Sequence, residues 1–120
     1  MLLIPTRVRP SPVHGLGLFA ARPIRPGEVV SVWTDEDVAC DPAALEALPP
    51  AERALALRLG FVDPATGLFL LAAGGERFIN HSEAPNLAGH PARVRVAIRE
   101  IEAGEELVED YRVTEPGWRP

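Results

Sequence analysis

Arg77-Phe78-Ile79-Asn80-His81-Ser82-Glu83-Ala84-Pro85-Asn86 is the stretch on which the reading of this chain turns. It sets an apolar turn of chain directly against amide, imidazole and hydroxyl groups. Packing alone does not call for that juxtaposition. For an isolated Asn-His pair, plain readings compete with a functional one: Asn80 as a turn residue, His81 as a core histidine with its hydrogen bonds satisfied. Two other pieces accompany it, Gly15-Leu16-Gly17-Leu18-Phe19-Ala20 near the start and Gly104-Glu105-Glu106-Leu107 leading to Asp110-Tyr111 near the end.

Working outward, 120 residues make one domain, 1–120, with a core over about 5–112 and a short C-terminal tail, 113–120. The single Cys40 has no cysteine to bridge with and starts no zinc knuckle, which fits a reducing, cytoplasmic setting. Met1-Leu2-Leu3-Ile4 is too short for a signal-peptide core, and no run reaches membrane-spanning length. The formal charge is −5, from 12 Lys+Arg against 17 Asp+Glu, so the basic footprint of a nucleic-acid binder is missing and a basic partner is favoured. All of the cations are arginines, so no side-chain amine of its own competes for a lysine-accepting site.

Arg22-Pro23-Ile24-Arg25-Pro26-Gly27-Glu28 and Arg99-Glu100-Ile101-Glu102-Ala103-Gly104-Glu105 share the pattern Arg-x-Ile-x-x-Gly-Glu. Each predicts a strand–turn–strand corner in which glycine takes positive φ and isoleucine packs inward. Strands are expected over Val29 to Trp33, Leu68 to Ala72 and Arg93 to Arg99. In the last, Val94, Val96 and Ile98 alternate with Arg93, Arg95 and Arg99, the period of a half-buried strand. Asp41-Pro42 is a good N-cap and first position for a helix over Ala43 to Leu48. Pro49-Pro50 breaks it, and Ala51 to Leu59 resumes with Gly60 as its stop; Leu55, Leu59 and Leu48 are expected against the sheet. The result is an α+β chain, mostly β, of short strands with one helical insertion.

In this order, from about His14 to Tyr111, the three motifs resemble the SET-domain family of protein lysine methyltransferases. The resemblance implies a β-clip-like fold in which the Asn80-His81 segment and the Tyr111 segment thread into a C-terminal pseudoknot. It implies S-adenosyl-L-methionine as cofactor: Gly15, Leu16 and Gly17 along its methionine part, the Asn80 amide on its amino acid end, and the His81 backbone at the adenine. Gly15-Leu16-Gly17 alone is an ordinary tight turn, and without a βαβ pattern it is no dinucleotide fingerprint. Leu16 stands where the family often has an aromatic, and Glu83 where it commonly has cysteine.

Tyr111, the only tyrosine, is implied as the catalytic residue; read alone, it is a core tyrosine capped by Asp110. Phe78, Glu109 and Trp118 are expected at the substrate channel. Glu109 stands where relatives often carry an aromatic that influences how many methyl groups are added. Three readings of it stay open: a solvated surface group, a partner for the incoming ammonium, or the sign of a changed acceptor. Trp118 is open between a cover for the site and a plain anchor. His14 and His90 show no metal-ligand spacing with His81, and no metal is expected. The function implied is methyl transfer to a lysine of a basic protein or peptide; the alternative is a catalytically degenerate SET module that binds a protein or the cofactor. Direct contact with nucleic acid or membrane is not expected, and a homodimer is compatible with the sequence.

Overall fold

The computed structural model describes residues 1–63, 66–89 and 94–114. Thr6–Pro10 (β1) and Leu16–Ala20 (β2) form an antiparallel hairpin with Thr6 opposite Ala20 and Pro10 opposite Leu16. Ser11 turns its loop: its hydroxyl accepts the N–H groups of Val13 at 2.9 Å and His14 at 3.3 Å. Val29–Val32 (β3) follows the first corner, and Val38–Cys40 (β4) leads into the helical insertion.

That insertion begins with a 3-10 helix over Pro42–Ala47 whose N-cap, Asp41, accepts the Ala43 N–H. The expected α-helix there is therefore the tighter form, ended before Pro49-Pro50. Pro50–Leu59 (α1) then runs with proline at its first position and Gly60 at its end. Contrary to expectation, α1 buries no residue: Leu55 is 53% exposed and Leu57 is 57% exposed. The apolar residue of the insertion that enters the core is Leu45, on the 3-10 turn.

After it come Phe61–Val62 (β5) and Phe69–Leu71 (β6), with β6 between β4 and β5 in one small sheet. A 3-10 turn over Gly75–Phe78 delivers Asn80–His81 (β7), followed by Leu87–Gly89 (β8), Val94–Ala97 (β9) and Val108–Glu109 (β10). β9 lies between β3 and β8, both antiparallel to it, while β7 and β10 pair in parallel with Val108 opposite Asn80 and Glu109 opposite His81. Tyr111–Thr114 (α2) closes the described chain. No helix among the described residues is long and apolar enough to cross a membrane. Short strands with few helices are the α+β, mostly β architecture expected.

The two Arg-x-Ile-x-x-Gly-Glu corners meet each other. Ile24 and Ile101 exchange backbone hydrogen bonds of 2.8 and 2.9 Å, and both side chains are fully buried. Gly27 and Gly104 take φ of +82° and +87°, the left-handed turn conformation expected of them. In each corner the arginine returns to the terminal glutamate, Arg22 to Glu28 at 2.9 Å and Arg99 to Glu105 at 2.7 Å. Around this junction Leu18, Val30, Ile79, Leu87, Ala97 and Leu107 form the core. Each large aliphatic group there gains roughly 1.5–3 kcal/mol from leaving water.

β9 departs from the expected alternation. Ala97 is buried and Ile98 is 50% exposed, whereas Arg95 turns inward with a side chain only 19% exposed. The reason is electrostatic: Arg95 meets a buried carboxylate on β10, and that pairing outweighs the hydrophobic period.

Candidate active site

The site is built where the hairpin loop, β7 and β10 converge. Asn80, only 9% exposed, donates from Nδ2 to the carbonyls of His14 at 3.0 Å and Leu16 at 3.1 Å, and to Glu106 Oε2 at 2.9 Å. Its Oδ1 receives no hydrogen bond among the described residues. Glu106 is in turn held by the Ser11 hydroxyl, 2.8 Å from both carboxylate oxygens. Gly17 is what lets that carboxylate sit over the loop: a Cβ there would overlap Glu106 Oε2 and lie 2.9 Å from Cδ. At Gly15 the chain takes φ of +45° beside open space, and the Leu16 side chain is 48% exposed.

Asn86 does the same work one turn further on. It is fully buried, donating to Glu105 Oε2 at 2.9 Å and the Glu106 carbonyl at 2.7 Å while accepting the Val108 N–H at 2.9 Å. Burial works to raise the Glu105 carboxyl, but the hydrogen bonds from Asn86 and the Glu102 N–H, together with Arg99, outweigh it and hold the group below its ordinary range. Backbone bonds from Ser82 N–H to the Glu109 carbonyl and from Asn86 N–H to the Val108 carbonyl complete the grip of residues 80–86 on β10.

Tyr111 emerges from that grip. Its N–H donates to His81 Nδ1 at 3.0 Å, its ring lies 5.4 Å from the imidazole, and its hydroxyl donates to the Ile79 carbonyl. Because Nδ1 accepts a backbone N–H, the 3.8 Å approach of Asp110 to that nitrogen is no hydrogen bond. Asp110 instead pairs with Arg112 at 2.6 Å, and this bond first, with Arg112's charge, holds its carboxyl down to about 2.

Glu109 is not the solvated group that one reading allowed. It is 4% exposed and takes both arms of Arg95, at 2.9 and 3.2 Å. Burial works to lower the Arg95 guanidinium, yet the Glu109 charge and hydrogen bonds, with Glu76 and Tyr111 also in reach, raise it. Phe78 is half-buried against the core, with the Arg77 guanidinium 5.0 Å over its ring. Trp118 and His90 lie outside the described residues. No cluster of metal-ligating side chains occurs among the described residues.

Leu16, Asn80, His81 and Tyr111, distant in the chain, are thus brought together by named bonds, with Gly15 and Gly17 on either side of the bonded Leu16 carbonyl. The family model of the SET domain matches residues 15–112. The chain belongs to the SET-domain family. Among solved structures, this SET domain resembles a chain of the Chaetomium thermophilum polycomb repressive complex 2, with TM-score 0.69 and 25% identity over 95% of its length. A humanized mutant of that complex bound to an inhibitor matches with TM-score 0.67, 26% identity and 95% coverage. This SET domain spans only 16% of each of those chains. A candidate histone methyltransferase of Plasmodium falciparum matches in fold at 18% identity, with TM-score 0.63 over 92% of this chain and 95% of its own. No curated protein matches this SET domain in sequence.

Sequence reasoning missed the side chains of Ser11, Glu106 and Arg95. Glu105 and Glu106 are neighbours in extended chain and so point to opposite sides, one to Asn86 and the other to Asn80. Two asparagines in one motif and two glutamates in the other were the legible signal. Arg95 carried none, since its place in the alternation read as outward.

Proposed function

We propose that this SET domain transfers a methyl group from S-adenosyl-L-methionine to a lysine side chain of a basic protein segment in the cytoplasm. The observation that carries this is the junction of the Gly15-Leu16-Gly17 loop, Asn80-His81 and Tyr111 through Asn80 Nδ2 and the two Tyr111 bonds. The residues suit the cofactor: open space beside Gly15 and an acceptor, Asn80 Oδ1, not used by the protein among the described residues. The Gly15–Gly17 loop and Asn80 would hold its amino acid end, and His81 the adenine side. When bound, it supplies a methyl group on a positively charged sulfur.

Tyr111 has the acceptor role. Its hydroxyl gives its proton to Ile79, so toward an incoming amine it acts as a hydrogen-bond acceptor that fixes the direction of the nitrogen lone pair. A free lysine has a pKa of about 10.4 and is mostly protonated at neutral pH, so the amine must lose a proton before it attacks. Withdrawal from water beside half-buried Tyr111 and His81 disfavours the charged form. The buried Arg95–Glu109 pair supports the acceptor side as a neutral unit: Glu109 is already matched by a fixed cation and does not offer an unpaired carboxylate to trap an ammonium. The protein's net charge of −5 steers basic segments toward it, an attraction that salt screens.

Tyr111→Phe tests the reading. Methyl transfer to lysine peptides should fall by about 100-fold or more while cofactor affinity stays within about threefold, because only the orienting hydroxyl is lost. Equal turnover by the variant, or no cofactor binding by the wild type in calorimetry, would overturn it.

A further inference from the structure

We infer that Glu106, acting through Asn80, is a positioning residue that turns the Asn80 amide so that its oxygen meets the α-ammonium group of the cofactor. This rests on the cofactor reading above and adds to it a residue and a polarity of recognition. An asparagine side chain can be placed two ways round, presenting either an amine donor or a carbonyl acceptor to a ligand. Here three acceptors converge on one end of it: the His14 carbonyl, the Leu16 carbonyl and Glu106 Oε2, all within 3.1 Å of Nδ2. Reversing the amide would set its oxygen against three oxygens, one of them on a carboxylate. The orientation is therefore fixed, and Oδ1 is the end left for a ligand.

Glu106 can do this because it is itself held. Ser11 binds both of its oxygens, and the missing side chain of Gly17 leaves the room it fills. Ser11 also caps the hairpin loop, so the same hydroxyl that anchors the carboxylate shapes the turn that carries Gly15. An amino acid end carries one ammonium and one carboxylate. An amide oxygen backed by a carboxylate recognises the ammonium and repels the other group.

The test is calorimetric binding of S-adenosylhomocysteine and of its analogue lacking the α-amino group. Wild type should bind the parent ligand about tenfold or more tightly than the analogue. Glu106→Ala should bind the parent about tenfold more weakly and should distinguish the two ligands by less than about twofold. Glu106→Gln, whose amide oxygen still accepts from Asn80, should restore most of the discrimination. A merely structural Glu106 would weaken both ligands equally, and that result, or undiminished discrimination in Glu106→Ala, overturns the inference. If Glu106→Ala does not fold, Ser11→Ala serves in its place: a reduced preference for the amino ligand supports the inference, and an unchanged preference overturns it. Failure of wild type to bind either ligand would instead bring down the cofactor reading itself.

Discussion

The junction of residues 80–86 with 105–111 and the helical insertion of residues 41–60 are opposite solutions to holding a chain in place. At the junction, polar side chains are buried and each bond has a specific partner: Asn86 makes three with its amide, Asn80 three, Glu109 two. In the insertion, α1 buries nothing, and its limits follow from local signals, Pro50 at the first position and Gly60 at the end. The difference teaches where this sequence is intolerant. A buried polar group that loses its partner keeps the full cost of desolvation. An exposed helix surface loses almost nothing when changed.

Arg95→Met should break that contrast most severely on the side of stability. It leaves Glu109 charged and buried without its cation, at a cost of about 3 kcal/mol or more, and denaturant unfolding would register it. Adding Glu109→Leu to the same variant should recover most of the loss, since removing both charges leaves nothing unmatched. A double variant no more stable than Arg95→Met would show that the pair is not the unit we describe.

Asn86→Leu is expected to cost about 3 kcal/mol, because the buried Val108 N–H loses its acceptor while the Glu106 carbonyl and the partly exposed Glu105 carboxylate each lose a donor. For a domain of this size that is a fall in melting temperature of roughly 10 °C or more. A shift under a few degrees would mean that water or rearrangement replaces the amide.

Asp110 sharpens the comparison at its solvent edge. Its folded carboxyl sits at about 2 against an ordinary 3.8, so its contribution to stability is complete above about 3.8 and is lost as pH falls through about 2. The stability difference between wild type and Asp110→Asn should therefore shrink across that window in urea titrations. A difference that is flat from neutral pH to below 2 would refute the Arg112 pairing.

On the other side of the comparison, Leu55→Ser and Leu57→Ser in α1 should each change unfolding free energy by no more than about 0.5 kcal/mol. A loss of several kcal/mol would reveal a packed face where we find an open one.

What could be read from the sequence divides along the same line. The two corners were legible because a turn glycine, an inward isoleucine and a closing glutamate repeat at fixed offsets, although nothing in either copy says that the copies touch. Helix limits were legible from proline, Asp41 and glycine. The direction in which α1 faces was not, since Leu55 and Leu59 give an apolar period whether or not a sheet lies beneath. The site's main residues were legible through motif order. Arg95 and Ser11 were hidden because each finds its partner across a gap in sequence, Glu109 and Glu106, that no local pattern encodes.

The meeting of Ile24 with Ile101 has a consequence for how the chain comes to be folded at all. Leu18 and Ile24 wait for Leu107 and Ile101, so the N-terminal corner has no partner until the chain through residue 107 has left the ribosome. Closing a loop of this span carries an entropic penalty of roughly 4 kcal/mol before any of the core contacts repay it. Such long-range pairing places the molecule among slow, cooperative folders whose halves do not assemble separately. A fragment ending at residue 98 should accordingly remain unfolded by circular dichroism, with its hairpin and helix sequences intact but nothing for the first corner to close upon.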